Sequence, residues 1–99
     1  MEMTIAELTK RIVDEGLEEF AFIKFGTLSG PDYSACIGKN DDESFSVIFY
    51  GERGDVDAEY LNIPEAEACE IIYKYAVSKK RFEMAYREKK NNNQGMSLH

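Results

Sequence analysis

The order of hydrophobic periodicities along the chain constrains its fold more than any other feature. Apolar residues recur every three or four positions near the start, alternate every second position through the middle, and return to helical spacing after residue 64. Strands collected between two helices indicate an α+β fold rather than alternating α/β units. We therefore predict an N-terminal helix, a three- to four-stranded antiparallel sheet, and a C-terminal helix packed on the sheet.

The first helix is predicted to begin at Thr4. Thr4 and Glu7 have the spacing of a capping box, in which two side chains satisfy free amides at the helix start. Gly16 is suited to ending the helix because glycine adopts the left-handed conformation without strain. The apolar residues at helical spacing are Ile5, Leu8, Ile12 and Val13. This pattern predicts an amphipathic helix whose apolar face packs on the rest of the protein.

Four runs in the middle of the chain have the composition of strands. Residues 20–25 are apolar on both alternations, which favours a central strand covered on both faces. Residues 33–37 and 45–50 alternate, and the polar connection between them predicts an antiparallel hairpin. Residues 56–60 follow a tight turn and alternate apolar with acidic side chains. We expect the carboxylates of this last strand to face outward.

A second helix is predicted after Pro64, a residue that suits the first helical position. Its apolar stripe consists of Ala68, Cys69, Ile72, Tyr73 and Ala76. The stripe is interrupted at residues 78–80, so the sequence leaves open whether the helix continues or breaks there. Residues 91–99 are polar and rich in Asn. We therefore expect one domain over residues 1–90 and a disordered tail over residues 91–99.

Charge is distributed unevenly along the chain. Residues 1–78 contain 17 Asp and Glu against 6 Lys and Arg, a net charge of −11, whereas residues 79–99 contain 2 against 6, or +4. An acidic body repels phosphate backbones and attracts a basic protein partner, although acidity also simply keeps a small protein soluble. The basic end is typical of a helix C-terminus; binding of nucleic acid or of an acidic partner is the alternative.

The residue types needed for common catalytic and metal sites are scarce. Cys36 and Cys69 are 33 positions apart, and the single histidine is His99 at the end of the chain. This pattern predicts reduced core thiols, no metal, no cofactor and no Cys-His or Ser-His catalysis. The residues Met1–Thr4 do not have the basic and then apolar pattern of a signal peptide, and no apolar run has membrane-spanning length, so we expect neither a signal peptide nor a membrane span. We predict a non-enzymatic cytoplasmic protein that is a monomer or a weak homodimer, with neither nucleic acid nor a membrane as partner.

A dense group of carboxylates follows the third strand. We name Glu52, Asp55, Asp57 and Glu59 the acidic ridge, because the last three are expected to share one strand face. Aromatic residues beside carboxylates favour a binding surface for a basic protein; the alternative is a charged strand edge that prevents aggregation. Arg53 is expected to brace neighbouring carboxylates or close the turn. The predicted partner-binding residues are Tyr50, Glu52, Asp55, Asp57, Glu59, Tyr60, Asp41, Asp42 and Glu43.

Residues 46–73 resemble small immunity proteins of bacterial polymorphic-toxin and contact-dependent-inhibition systems. The resemblance covers 28 of the 99 residues. It is carried by Tyr50, Glu52, Arg53 and Gly54 in a Tyr-x-Glu-Arg-Gly turn, and by Glu65, Glu67, Ala68 and Cys69 at the start of the next helix. The resemblance implies an inhibitor that binds a toxin, often a nuclease, at or near its active site. Since a nuclease is basic in order to hold phosphate, an acidic inhibitor matches it in charge.

Two other functions remain open from the sequence. An acidic adaptor or regulator would bind a different basic protein through the same residues. A metal-dependent hydrolase would use the carboxylates of the acidic ridge, starting with Glu52, and its activity would depend on a divalent cation. The gene neighbourhood separates the adaptor from the immunity protein, and a chelator separates the hydrolase from both.

Overall fold

The structure is a computed structural model that describes the backbone of residues 2–97 and the side chains of residues 2–89. Its first helix, α1, spans Ile5–Asp14 and begins as predicted, because the Thr4 hydroxyl accepts a hydrogen bond from the Glu7 backbone N–H at 3.2 Å. Gly16 adopts the left-handed conformation that ends the helix, also as predicted. Val13, however, is 55% exposed because it lies on the flank of the buried stripe.

A four-stranded sheet follows α1, with the strands in sequence order. The strands are β1 (Phe22–Phe25), β2 (Ser34–Lys39), β3 (Phe45–Tyr50) and β4 (Val56–Ile63). The predicted antiparallel hairpin of β2 and β3 is confirmed, and β4 pairs antiparallel with β3. The α+β class is therefore confirmed with one correction: β1 pairs with β2 in parallel, so the sheet is mixed.

The strand that is covered on both faces is β2, and the prediction of a central strand at residues 20–25 is wrong because β1 lies at a sheet edge. The helices cover one face of β2. The eight-residue connection from β1 to β2 crosses the other face. A Cβ at Gly30 of this connection would lie 2.6 Å from Ser34 Oγ and 2.8 Å from Cys36 Sγ. Parallel strands need a crossover, and a closely packed loop here takes the place of the usual helix.

One hydrophobic core lies between the sheet and the two helices. Its members include Leu8, Ile12, Ala35, Ile37, Phe45, Val47, Cys69, Ile72 and Ala76. Cys36 and Cys69 are both buried free thiols, as predicted. This core fixes the position of β3, and β3 in turn positions β4 at the edge of the sheet.

The second long helix, α2, spans Glu65–Ser97 and thus continues through residues 78–80. Its 33 residues extend about 50 Å at 1.5 Å per residue, whereas a six-residue strand spans about 20 Å. The later turns of α2 therefore project beyond the sheet. Leu98 and His99 lie outside the described residues, and the domain limit at residue 90 with a disordered tail stays a prediction. No helix in the described part is long and apolar enough to cross a membrane.

Candidate functional site

The turn between β3 and β4 carries the Glu-Arg-Gly motif and is held by a side chain from the β1–β2 connection. Arg53 and Gly54 both have a left-handed backbone, with φ of 59° and 76°. Their N–H groups donate to the Asp32 carboxylate at 3.0 Å and 2.8 Å, respectively. Sequence reasoning missed Asp32, although the order Gly-Pro-Asp is typical of a turn whose Asp binds nearby backbone. The motif thus fastens this turn to the crossover loop.

Tyr50 and Glu52, the other two residues of the motif, differ in exposure, and the Arg53 side chain forms no ion pair with a described residue. Tyr50, predicted to bind a partner, is half-buried, and its hydroxyl donates to the backbone carbonyl of Leu28 at 2.5 Å. Arg53 acts through its backbone, and its guanidinium forms no ion pair with a side chain that the structure describes. The predicted bracing of carboxylates by Arg53 is therefore not observed. Glu52 is exposed on the outside of the turn and is available to a partner.

The register of β4 determines where the acidic ridge points. The cross-strand pairs are Ile48 with Glu59, Phe49 with Ala58, and Tyr50 with Val56. Asp57 is thus an extra residue at a β-bulge, where the two-residue alternation is broken. Asp55 precedes the strand. The prediction that Asp55, Asp57 and Glu59 share one strand face is wrong, because it assumed an unbroken strand through all three.

Asp57 instead lies at the corner between the sheet and α2. A Cβ at Gly51 would lie 2.5 Å from Asp57 Oδ1, so glycine leaves the room that this carboxylate occupies. Burial, and secondarily the negative charge of Asp57, raises the pKa of the Tyr75 phenol in α2. The carboxylates of the acidic ridge therefore lie around the start of β4 rather than on one face of the strand.

The acidic group Asp41, Asp42 and Glu43 lies at the opposite end of the sheet, in the β2–β3 connection. A six-residue strand, about 20 Å, separates this connection from the β3–β4 turn. Asp42 accepts hydrogen bonds from the hydroxyl and the N–H of Ser44 at 2.6 Å and 3.1 Å, and these bonds lower the pKa of the carboxyl. Glu43 forms an exposed ion pair with Lys39 at 3.8 Å. The structure does not bring this group together with the acidic ridge.

β4 presents an exposed edge on which apolar and acidic side chains are mixed. No strand within residues 2–97 pairs with its outer edge. Val56, Tyr60 and Leu61 are 50%, 42% and 50% exposed. The β4 surface, as we name it, consists of Glu52, Asp55, Val56, Asp57, Glu59, Tyr60 and Leu61. Val56 and Leu61 were not among the predicted site residues; the signal for them was their place in an edge strand, which only the sheet order reveals.

Tyr60 is the best-anchored aromatic residue of the β4 surface. Its ring meets Phe49 edge to face, with centroids 6.2 Å apart, and Phe49 contacts Tyr75 of α2 at 4.7 Å. A side chain that is held on one side and exposed on the other contributes contact area at a low entropic cost. Of the two tyrosines predicted to flank the acidic ridge, Tyr60 is therefore the one suited to contact a partner.

The side chains of the β4 surface differ in chemistry from those of metal sites and reactive thiols. Within the described residues, no group of three or more His, Cys, Asp or Glu side chains is arranged to hold a metal ion. Burial and the nearby carboxylates of Glu65 and Glu7 raise the pKa of the Cys69 thiol to about 11, so this thiol is neutral at physiological pH. The β4 surface, in contrast, combines aromatic area, carboxylates and unpaired backbone groups. These are the elements of a protein-binding edge.

Comparison with known proteins identifies no relative. No protein-family model, curated protein or solved structure matches this chain. Function is therefore inferred from the geometry and charge of the β4 surface.

Proposed function

We propose that this protein is an immunity protein that binds a basic bacterial toxin domain through the β4 surface and thereby neutralises it. The observation that carries the proposal is the exposure of Val56, Tyr60 and Leu61 on an acidic strand whose outer edge pairs with no strand within residues 2–97. The partner is a protein rather than nucleic acid or a membrane, and we place the encounter in the cytoplasm.

Exposed apolar residues distinguish a binding edge from a protected edge. A strand edge that only prevents aggregation carries charges, proline or a covering loop, and large apolar side chains on it would defeat that purpose. Here three apolar side chains are each at least 42% exposed beside Asp57 and Glu59. Such a mixture favours a partner that covers the apolar atoms and pairs with the carboxylates.

The charge of the body favours a basic partner. Residues 1–78 carry a net charge of −11, which accelerates association with a positively charged surface and repels nucleic acid. A nuclease-type toxin needs a basic groove to hold phosphate. An acidic protein that occupies this groove competes with the substrate for the same cations, so charge complementarity gives both fast binding and inhibition.

The test begins with a pull-down from the native cytosol that uses the full chain as bait at low and at high salt, followed by mass spectrometry. We expect capture of a basic domain whose expression stops bacterial growth and whose toxicity is relieved by co-expression of this chain. Salt should weaken capture because charge steers the association. Capture of a basic protein that is not toxic would support the adaptor function instead.

Two variants locate the surface on the captured domain. Glu59→Lys and Leu61→Asp should each weaken binding by about tenfold or more, since one places like charges together and the other removes apolar contact. Asp41→Lys is the matched control: it makes the same kind of charge change at the opposite end of the sheet and should leave affinity nearly unchanged. Equal effects of Glu59→Lys and Asp41→Lys would show that net charge alone, and not the β4 surface, determines binding.

A further inference from the structure

Two hydrogen bonds at the end of β2 show which way its backbone groups point. The Asn40 N–H donates to the Ser44 carbonyl at 2.7 Å, on the side of β3. The Gly26 N–H, which follows β1, donates to the Ile37 carbonyl at 2.9 Å. Backbone groups of successive residues in a strand point to opposite sides. The even-numbered residues of β2 therefore direct their N–H and C=O groups towards β3, and the odd-numbered residues direct theirs towards β1.

This alternation continues across the sheet to β4. Cys36 is paired with Ile48, and because Cys36 is even-numbered the two residues exchange ladder hydrogen bonds. The backbone groups of Ile48 are thus on the β2 side. Glu59 is paired with Ile48 from the other side of β3, so this pair exchanges no hydrogen bonds. The N–H and C=O of Glu59 therefore face the outer edge of β4, where no strand within residues 2–97 pairs.

The side chains beside this free backbone differ between the two faces of the sheet. Val47, which is fully buried in the core, is paired with Tyr60, so Tyr60 lies on the face that the helices cover. Glu59 lies on the opposite face and is exposed. A strand added beside β4 would therefore have one face next to an aromatic ring and the other next to a carboxylate.

β4 is the acidic one of the two edge strands. It contains Asp57 and Glu59 but no Lys or Arg, whereas Lys24 is the only charged residue of β1. A lysine in an edge strand hinders pairing with a further strand, and with a basic strand most of all. In β4, bulges flank the regular register of residues 58–60. Because bulges interrupt pairing, they confine an added strand to the neighbourhood of Glu59.

We propose that the partner of the β4 surface contributes an extended strand that pairs with the Glu59 backbone and becomes the fifth strand of the sheet. This strand carries Lys or Arg on the face of Glu59 and apolar residues on the face of Tyr60, because these side chains match a carboxylate and a ring, respectively. Backbone hydrogen bonds give such a complex affinity, and the alternation of side chains gives it specificity. The inference rests on the proposed function and deepens it, since it specifies how the toxin domain is held.

The probe for strand pairing is a synthetic peptide of about eight residues in which lysine and valine alternate. Nuclear magnetic resonance follows its titration into the isotope-labelled full chain up to about 1 mM, a range that covers weak binding. We expect saturable shifts of the Glu59 amide signal and slower hydrogen exchange at this amide. The control peptide carries a methyl group on each backbone nitrogen, which keeps the charge and the side chains but prevents strand pairing. It should bind about tenfold more weakly, or less.

Two variants at one position separate the backbone of Glu59 from its side chain. Glu59→Ala and Glu59→Pro both remove the carboxylate, but only proline also removes the N–H that faces the edge. Glu59→Pro should therefore bind the peptide about threefold or more weaker than Glu59→Ala does. Both variants should keep the circular dichroism spectrum of the parent, because this N–H takes no part in the ladder with β3. Equal affinities of the two variants for the peptide would overturn the proposal.

The outcome for strand pairing is separate from the outcome for the proposed function. A chain that does not bind the peptide, or that binds the methylated peptide equally well, would overturn strand pairing; capture of a toxin domain by the same chain would leave the immunity function intact. Binding of the peptide by a chain that captures no toxic domain would support strand pairing and contradict the immunity function.

Discussion

β2 and β4 have similar sequence patterns, but β2 is buried and β4 is mostly exposed. Both alternate large and small or charged residues with a period of two. Every residue of β2 except Lys39 is buried, because helices cover one face and a loop covers the other. β4 is exposed at six of its eight positions. The difference teaches that periodicity reports the backbone conformation of a strand, whereas its neighbours in the sheet decide its exposure.

This difference separates scaffold from candidate surface. β2 has no free edge and no free face, so its residues contribute to stability. Among the residues that the structure describes, β4 pairs only with β3, and its two bulges leave side chains out of strict alternation. Substitutions in β2 should therefore change the free energy of unfolding, and substitutions in β4 should change binding while leaving stability almost unaltered.

The largest expected contrast comes from removing one apolar side chain from each strand. Ile37→Ala in β2 should lower the free energy of unfolding by about 2–5 kcal/mol, because it opens a cavity at a position that is only 1% exposed. Leu61→Ala in β4, at 50% exposure, should change it by less than about 0.5 kcal/mol. Urea unfolding of the two variants measures both values. Similar losses in the two strands would break the distinction between scaffold and surface.

A smaller loss is expected where the crossover loop covers β2. Gly30→Ala places a Cβ against Ser34 Oγ and Cys36 Sγ, which lie within 3 Å of its ideal position. Overpacking of this kind costs about 1–3 kcal/mol. The measurement is again urea unfolding. An unchanged free energy of unfolding would mean that the loop moves away from β2 at no cost, and would contradict close packing of the loop on this strand.

The smallest expected effect is at the link between the two regions. Asp32→Ala removes the acceptor for the Arg53 and Gly54 N–H groups and should lower the free energy of unfolding by about 1–2 kcal/mol. Asp32→Asn retains an oxygen acceptor and should lose less. The rate of hydrogen exchange at the Arg53 and Gly54 amides should rise as the free energy of unfolding falls. A loss of affinity for the toxin domain, without faster exchange, would instead mark Asp32 as a direct contact.

The local elements were largely predictable because their signals are short-range. Thr4 and Glu7 mark a helix start that any surroundings would preserve, and the β2–β3 hairpin follows from two alternating runs joined by a polar turn. The direction of β1 was not predictable. Its apolar residues indicate a buried strand, but whether the next strand returns alongside it or crosses over depends on packing of the loop at Gly30.

The candidate site was predicted in composition but not in shape. Residue types pointed to Tyr60, Glu59 and the turn, and also to Asp41–Glu43, which lie at the opposite end of the sheet. A bulge shifts every later side chain, and its position depends on the pairing with β3. The position of Asp57 at the corner between the sheet and α2 therefore depends on how β4 pairs with β3.

The sequence by itself determined the secondary structure elements, the helix start at Thr4, the buried thiols and the contrast between an acidic body and a basic end, because each depends on neighbouring residues or on composition. Only the tertiary structure decided that β2 is enclosed, that β4 has a free edge within residues 2–97, and that Phe49 packs between Tyr60 and Tyr75. These features depend on contacts between residues far apart in the chain, and such contacts are set by packing of the whole core.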